Sequence, residues 1–224
     1  MDLTFDSFVL AASTATLTDE PAAREHADAV EFRMDLATDP LSALDDYDGD
    51  LPVLATNRAG WEGGEADDDG RLDALVAAAD HDAVGAVDVE LAALRTPEGE
   101  SAAAAARDRG AAVVASVHDF ERTPPPSRLR ELLGDAVALG DVGKLAVTAA
   151  DAGDVLDLLA ATRDATSWGD PVATMAMGEP GRHSRAVAPL YGSKIGYAPV
   201  DPADATAPGQ YDLATLRELV SALS

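Results

Sequence analysis

Short apolar runs recur along the whole chain and predict β-strands, because runs of this length bounded by glycine, proline and polar residues are typical of buried strands. Several of the runs end in polar or charged side chains, which sets one end of each predicted strand apart from the other. The eight runs are Phe8–Ser13, Ala29–Asp35, Leu51–Arg58, Ala86–Leu91, Ala111–His118, Val142–Thr148, Pro171–Met177 and Ser193–Val200.

Segments whose apolar residues are three or four positions apart separate these runs, and this spacing predicts helices. The clearest segments cover residues 72–79, 155–159 and 213–220. Pro97 stands near the start of another predicted helix and Gly110 follows its end, as is usual for helix boundaries.

Strands that alternate with helices predict a parallel α/β fold. Eight strands in 224 residues predict a closed (β/α)8 TIM barrel. We expect residues 1–224 to form a single domain, because no linker-like or low-complexity segment interrupts the pattern. An open, doubly wound sheet is the alternative.

The net charge of −25 and the pI of about 4.1 exclude nucleic acid and anionic membrane surfaces as favourable partners. Acidic residues such as Asp67, Asp68 and Asp69 precede the regular apolar positions Leu72 and Leu75, so they predict solvated helix faces in a folded protein. Abundant acid with little lysine indicates adaptation to a salty cytosol, where screening reduces self-repulsion.

The sequence has no cysteine, which excludes disulfides and thiolate metal sites. The run Phe8–Ser13 resembles part of a signal peptide, but it is short and has acidic flanks, so we do not interpret it as one. No apolar stretch is long enough to cross a bilayer. These features together predict a cytoplasmic protein.

Lys144 stands in the middle of a run that otherwise reads as a buried strand, and Lys194 is the only other lysine. A buried ammonium is costly unless it is paired, neutralised or used. It can extend to solvent or join an ion pair, but a lysine with a lowered pKa can also attack a carbonyl and form a Schiff base.

Polar groups follow several of the other predicted strands. Glu31, Arg33 and Asp35 alternate, so they are expected to share the inner face of the barrel. His118 ends the strand before Lys144, and the barrel geometry predicts that both side chains point into one space. Taken singly, the Glu31 and Arg33 pair also fits a structural ion pair, and His118 a core histidine.

The order of these motifs resembles that of the type I 3-dehydroquinate dehydratases over nearly the full chain. The residues that carry the resemblance are Glu31-Phe32-Arg33-Met34-Asp35, Thr56-Asn57-Arg58, Glu62-Gly63-Gly64, Ser116-Val117-His118-Asp119-Phe120, Thr123-Pro124, Lys144-Leu145-Ala146, Met175-Ala176-Met177-Gly178, Ser184-Arg185 and Ala207-Pro208-Gly209-Gln210.

The resemblance implies a shikimate-pathway lyase that converts 3-dehydroquinate into 3-dehydroshikimate without metal or organic cofactor. Lys144 would form the Schiff base with the C3 ketone, His118 would act as general acid and base, and Glu62 would orient His118. We expect Arg33 and Arg58, as cationic neighbours, to help keep the amine uncharged. The implied substrate-binding residues are Ser13, Glu31, Arg33, Arg58, Met177, Arg185, Thr206 and Gln210.

The chain departs from the family pattern at two positions. Thr206 stands where serine is usual, which keeps the hydroxyl, and Asn57 replaces a common phenylalanine but is predicted to point away from the site. The basic residues Arg182 and His183 precede Arg185, and the sequence gives them no role. The resemblance also implies a homodimer.

Two other functions fit the residues alone. One is a different Schiff-base barrel, an aldolase, although the last strands offer Arg185 and Gln210 rather than a phosphate-binding loop. The other is a salt-adapted barrel that binds a ligand without turning it over. Loss of turnover in a Lys144→Ala variant would separate the imine-forming enzymes from the binding protein.

Overall fold

The computed structural model describes residues 1–201, 203 and 209–223. Within this part of the chain, eight parallel strands form one sheet with the order β7-β6-β5-β4-β3-β2-β1-β8. The strands are β1 Val9–Thr14, β2 Ala29–Arg33, β3 Val53–Thr56, β4 Val84–Glu90, β5 Ala112–Asp119, β6 Val142–Thr148, β7 Val172–Met177 and β8 Ile195–Pro199.

The sheet closes on itself where β8 meets β7. The Lys194 backbone N–H donates to the Val172 carbonyl at 2.7 Å, and the Thr174 N–H donates to Ser193 Oγ at 3.0 Å. On its other side β8 pairs with β1 in parallel register. The predicted (β/α)8 barrel is therefore confirmed, and the open sheet is not observed.

Helices follow the strands and cover the outside of the barrel. Their first residues agree with helix chemistry: Asp151 accepts from the backbone N–H groups of Gly153 and Asp154, and Thr96 accepts from Gly99. The helices are α1 Glu20–Ala23, α2 Pro40–Asp45, α3 Arg71–Ala78, α4 Leu91–Leu94, α5 Pro97–Asp108, α6 Pro126–Leu139, α7 Ala152–Ser167, α8 Ser184–Val187 and α9 Leu213–Leu223. None of the helices in the described part of the chain has the length and hydrophobicity that crossing a bilayer requires.

Strand ends differ from the predicted ones where polar side chains bond locally. The second run was predicted to continue to Asp35, but β2 ends at Arg33 and a 3-10 turn covers Met34–Leu36. Arg33 donates to both carboxylate oxygens of Asp35 at 2.9 and 2.7 Å. In a continued strand these two side chains would project in parallel from the same face. The turn instead allows the Arg33 guanidinium to meet both carboxylate oxygens of Asp35.

The barrel interior has an apolar lower part and a polar upper part. Leu54, Val114, Val142 and Ile195 belong to one buried apolar cluster inside the sheet. Two residues further along each strand, the next inward-facing side chains are polar and are still buried. They are Glu31, Thr56, Asp88, Ser116 and Lys144. Because the strands are parallel, all of these polar groups gather at the carboxyl ends of the strands, where barrel active sites lie.

Candidate active site

A cavity opens at the carboxyl ends of the strands. Titratable side chains from five strands or the loops that follow them reach it, together with aromatic and sulfur-containing side chains. The lining residues are Glu31, Arg33, Thr56, Arg58, Glu62, Gly63, His118, Phe120, Lys144, Ala146, Met175, Met177, Arg185, Tyr197 and Gln210.

Lys144 is only 4% exposed, and its amine faces this cavity. Its Nζ donates to Asp88 Oδ2 at 2.9 Å and lies 3.9 Å from Glu31 Oε1. Nζ also lies 4.3 Å from the centre of the Tyr197 ring, a cation–π distance. Carboxylates and a ring face therefore surround the amine directly, whereas the sequence had suggested arginines as the neighbours that determine its charge.

Asp88 connects Lys144 to Arg58 through a buried network. Arg58 Nη2 donates to Asp88 Oδ1 at 2.7 Å, and Arg58 Nη1 donates to Ser116 Oγ at 2.6 Å, while the Ser116 hydroxyl donates to Asp88 Oδ1 at 2.6 Å. Burial alone would raise the pKa of Asp88, but Arg58, Lys144 and Ser116 hold this pKa below its ordinary value. Asp88 is thus an ionised carboxylate shared by two buried basic side chains.

Burial disfavours the charged form of Arg58, but the carboxylates of Asp88, Glu90 and Glu62 outweigh this and raise the pKa of Arg58. Arg58 Nη1 lies 3.3 Å from Glu90 Oε1 and 3.9 Å from Glu62 Oε1. Arg58 therefore stays charged and holds the carboxylates of Asp88, Glu90 and Glu62 around it.

His118 and Glu62 form a hydrogen-bonded pair, with 2.8 Å between Nδ1 and Oε1. Burial, with contributions from Arg58 and Lys144, holds the pKa of His118 well below its ordinary value. Burial also raises the pKa of Glu62 to about 8. The two groups titrate as a coupled pair, and the neutral imidazole is the form that can accept a proton.

Arg185 contributes a guanidinium that the described residues leave without a partner. The side chain is 4% exposed, and its Nε and Nη2 are buried and donate no hydrogen bond within the described part of the chain. Burial lowers the pKa of Arg185 to about 10. A buried cation that faces a cavity and has no partner among the described residues is suited to an anion such as a carboxylate.

The predicted residues Glu31 and Arg33 both line the cavity, but Ser13 does not. Ser13 is 1% exposed and donates to Glu31 Oε2. Ser13 is thus held against a residue that lines the cavity, and its own contact with the substrate stays a prediction. Thr56 donates to Glu31 Oε1 at 3.2 Å, so two hydroxyl groups orient this carboxylate.

The other predicted residues are distributed as follows. Met177 and Gln210 line the cavity with Arg58 and Arg185. Thr206 lies outside the described residues. Asn57, predicted to point away, donates through Nδ2 to the Arg71 carbonyl at 3.1 Å and is not among the lining residues.

Sequence reasoning did not assign four of the residues that shape the site: Asp88, Tyr197, Met175 and Phe120. The basic side chains that Asp88 meets come from other strands, so this contact depends on the closure of the barrel. Phe120 stacks on His118 with 5.8 Å between ring centres. A methionine in a strand is most often packing, so Met175 gives no signal of its own, and neither does the position of Tyr197.

The sequence model of the family described as type I 3-dehydroquinase matches residues 9–224. The chain belongs to this family. Its relatives include the 3-dehydroquinate dehydratases of Haloarcula marismortui, 63% identical over 98% of this chain and 97% of the relative, and of Halobacterium salinarum, 59% identical over 98% and 99%. Membership of the family and relatives from salt-loving archaea agree with the resemblance and with the predicted salt adaptation.

Solved structures agree with this assignment. The structure of 3-dehydroquinate dehydratase from Geobacillus kaustophilus is 27% identical and aligns with a TM-score of 0.84 over 97% of this chain and 91% of the other. The type I 3-dehydroquinate dehydratase from Clostridium difficile, solved with covalently modified comenic acid, is 25% identical, with a TM-score of 0.82 over 97% and 92%.

Proposed function

We propose that this lyase dehydrates 3-dehydroquinate to 3-dehydroshikimate through an imine on Lys144. The observation that carries the proposal is that one cavity holds three complementary groups: the buried amine of Lys144, the His118–Glu62 pair and the guanidinium of Arg185, which has no partner among the described residues. A nucleophile for a ketone, an acid–base group and a carboxylate binder together match this substrate.

The amine of Lys144 first attacks the C3 carbonyl carbon, and loss of water gives a cationic iminium. Lys144 must give up a proton to attack, and the ionised Asp88 beside it compensates the positive charge of the iminium that follows. The ring of Tyr197 stabilises the same charge because its face is negative. The iminium withdraws electrons from C2 and makes its C–H bond acidic.

His118 then removes the C2 proton, and the electron pair enters the enamine. The enamine expels the C1 hydroxyl, to which His118 returns a proton, so that water leaves and a conjugated iminium remains. Hydrolysis of this iminium releases 3-dehydroshikimate and regenerates Lys144. Glu62 holds His118 through Nδ1, which leaves Nε2 as the nitrogen that exchanges protons.

The remaining lining residues bind the substrate. Arg185 receives the carboxylate, for which a planar guanidinium has matching geometry. Glu31, Arg33 and Arg58 bind the hydroxyl and carbonyl groups of the substrate. Gln210 contacts the substrate from the loop after β8, and Ser13 acts indirectly by orienting Glu31.

Turnover measurements in concentrated KCl test the proposal. The wild-type enzyme is expected to form the conjugated enone from 3-dehydroquinate, and Lys144→Ala is expected to abolish this activity. Lys194→Ala is the matched control, because Lys194 is the only other lysine and its amine donates to the Asp6 carbonyl at 2.7 Å, away from the cavity lining. Turnover that survives Lys144→Ala would refute the imine mechanism.

Two broader features are part of the same proposal: assembly as a homodimer and a cytoplasmic location. Large apolar side chains on and after α7 support an interface, since Leu156 is 66% exposed, Trp168 85% and Leu190 54%. Light scattering with size-exclusion chromatography tests it. We expect a dimer for the wild type and a monomer for Trp168→Glu, and a wild-type monomer would contradict the assembly.

A further inference from the structure

Arg182 belongs to the loop after β7, one turn before Arg185, and the reaction chemistry gives it no role. Its guanidinium carbon lies 4.2 Å from the centre of the Tyr211 ring. Its Nε is buried and has no hydrogen-bond partner in the described part of the chain. The ring face of Tyr211 therefore contacts the buried part of the Arg182 guanidinium.

The loop after β7, which carries Arg182, and the segment that carries Tyr211 also meet at a second point. Gly209 has a φ of 77°, and a Cβ added there would lie 2.5 Å from the Gly178 carbonyl oxygen. Gly178 begins the loop that carries Arg182. Residue 209 is thus restricted to glycine by the close approach of the loop backbones as well as by its backbone conformation.

Gln210 stands between these two contacts. Gly209 on one side packs on Gly178, Tyr211 on the other side stacks with Arg182, and Gln210 lines the active-site cavity. Tyr211 also packs against the apolar cluster of α9, which includes Leu213 and Leu216. Both neighbours of Gln210 are therefore fixed to the rest of the barrel.

On the other side of Arg182, the loop continues directly to the anion-binding group. The carbonyl of Arg182 accepts a hydrogen bond from the backbone N–H of Arg185 at 3.3 Å. One residue thus contacts both the segment that holds Gln210 and the turn that holds Arg185. In concentrated salt, exposed ion pairs are strongly screened, whereas a stacked guanidinium on a partly buried ring depends less on long-range charge.

We propose that Arg182 is a positioning residue, which through its stacking on Tyr211 holds Gln210 in place at the mouth of the cavity for binding of the carboxylate-bearing substrate. This inference rests on the proposed function. It predicts that loss of the stacking weakens substrate binding and leaves the chemical steps at Lys144 and His118 intact.

The test compares kcat and KM for 3-dehydroquinate in concentrated KCl. Arg182→Met and Tyr211→Leu are expected to raise KM about three- to tenfold, the range for one partly buried cation–π contact, with kcat within about twofold of the wild type. Arg182→Lys keeps a cation and Tyr211→Phe keeps the ring face, so both should restore most of the affinity. His183→Ala, which changes the exposed neighbouring residue, is the matched control and should leave KM unchanged.

A double-mutant cycle separates positioning from a general loss of stability. In a Gln210→Ala background, Arg182→Met should raise KM little further, because the residue it positions is already absent. An additional rise of the same size in that background, or an unchanged KM in Arg182→Met and Tyr211→Leu, would overturn the inference. Absence of turnover in the wild type would instead refute the proposed function, and the assignment of Arg182 with it.

Discussion

Replacing Arg185 with methionine should stabilise the free enzyme and nearly abolish its activity. Arg185 carries a buried charge that the described residues leave unpaired, and burial lowers its pKa from 12.5 to about 10. At about 1.4 kcal/mol per pKa step, this fall corresponds to a cost of about 3 kcal/mol for holding the charged guanidinium in the folded state. Because the folded-state pKa lies below the unfolded value, this cost applies at every pH below about 10.

Methionine keeps an unbranched apolar stem in the same space and removes the charge, so most of the cost should disappear. After allowance for the space that the guanidinium leaves, we expect Arg185→Met to raise the free energy of unfolding by about 1–3 kcal/mol. In the proposed binding mode the variant also loses the charge-assisted hydrogen bonds from Arg185 to the substrate carboxylate. That loss should lower kcat/KM at least about 100-fold.

Urea unfolding in concentrated KCl measures the stability, and initial rates with 3-dehydroquinate measure kcat/KM. Arg130→Met is the matched control, because Arg130 is half exposed and pairs with Asp164 at 2.7 Å on the surface. It should change the free energy of unfolding by less than about 0.5 kcal/mol and leave activity intact. An Arg185→Met enzyme that is less stable than the wild type, or that retains its kcat/KM, would refute the reasoning.

Three further variants test other parts of the site. Because the Glu62–His118 pair loses its shared proton near the Glu62 pKa of about 8, wild-type kcat/KM, which reports the ionisations of the free enzyme, should rise with pH through this range, and Glu62→Gln should remove the rise; superimposable pH profiles would contradict the pairing. Asp88→Asn leaves Arg58 and Lys144 without their shared carboxylate and should cost about 3–5 kcal/mol in urea unfolding, so a cost below about 1 kcal/mol would be inconsistent with the network. His118→Ala should still form the imine but stall proton transfer, so borohydride should trap more substrate-bearing enzyme at steady state, whereas an unchanged yield would move His118 out of the acid–base role.

The fold could be predicted from the sequence because its signals are local and repeated. Eight apolar runs separated by helical spacing gave the eight strands, and the inward position of Lys144 followed from strand alternation. The predicted ends of the strands were less accurate than the predicted number of strands. β2 stops at Arg33, two residues before the predicted end, because the Arg33–Asp35 pair favours a turn over continued extension.

The residues of the site were partly predictable for a different reason. Side chains such as His118 and Arg185 could be found one at a time from motifs, but their partners depend on distances across the closed barrel. Asp88 contacts Lys144 and Arg58 although 56 and 30 residues separate it from them. No local pattern encodes such a contact, and this is why the shared carboxylate and the ring of Tyr197 became apparent only in the folded structure.

The claim that Lys144 is the imine-forming amine is tested most directly by borohydride trapping during turnover. The enzyme is mixed with 3-dehydroquinate, reduced, digested and analysed by mass spectrometry, with Lys194→Ala and Lys144→Ala samples in parallel. Imine chemistry predicts that the wild type and Lys194→Ala carry the reduced adduct on the peptide containing Lys144 and that Lys144→Ala carries none. Turnover of the substrate with no trapped adduct, or an adduct on Lys194, would contradict it.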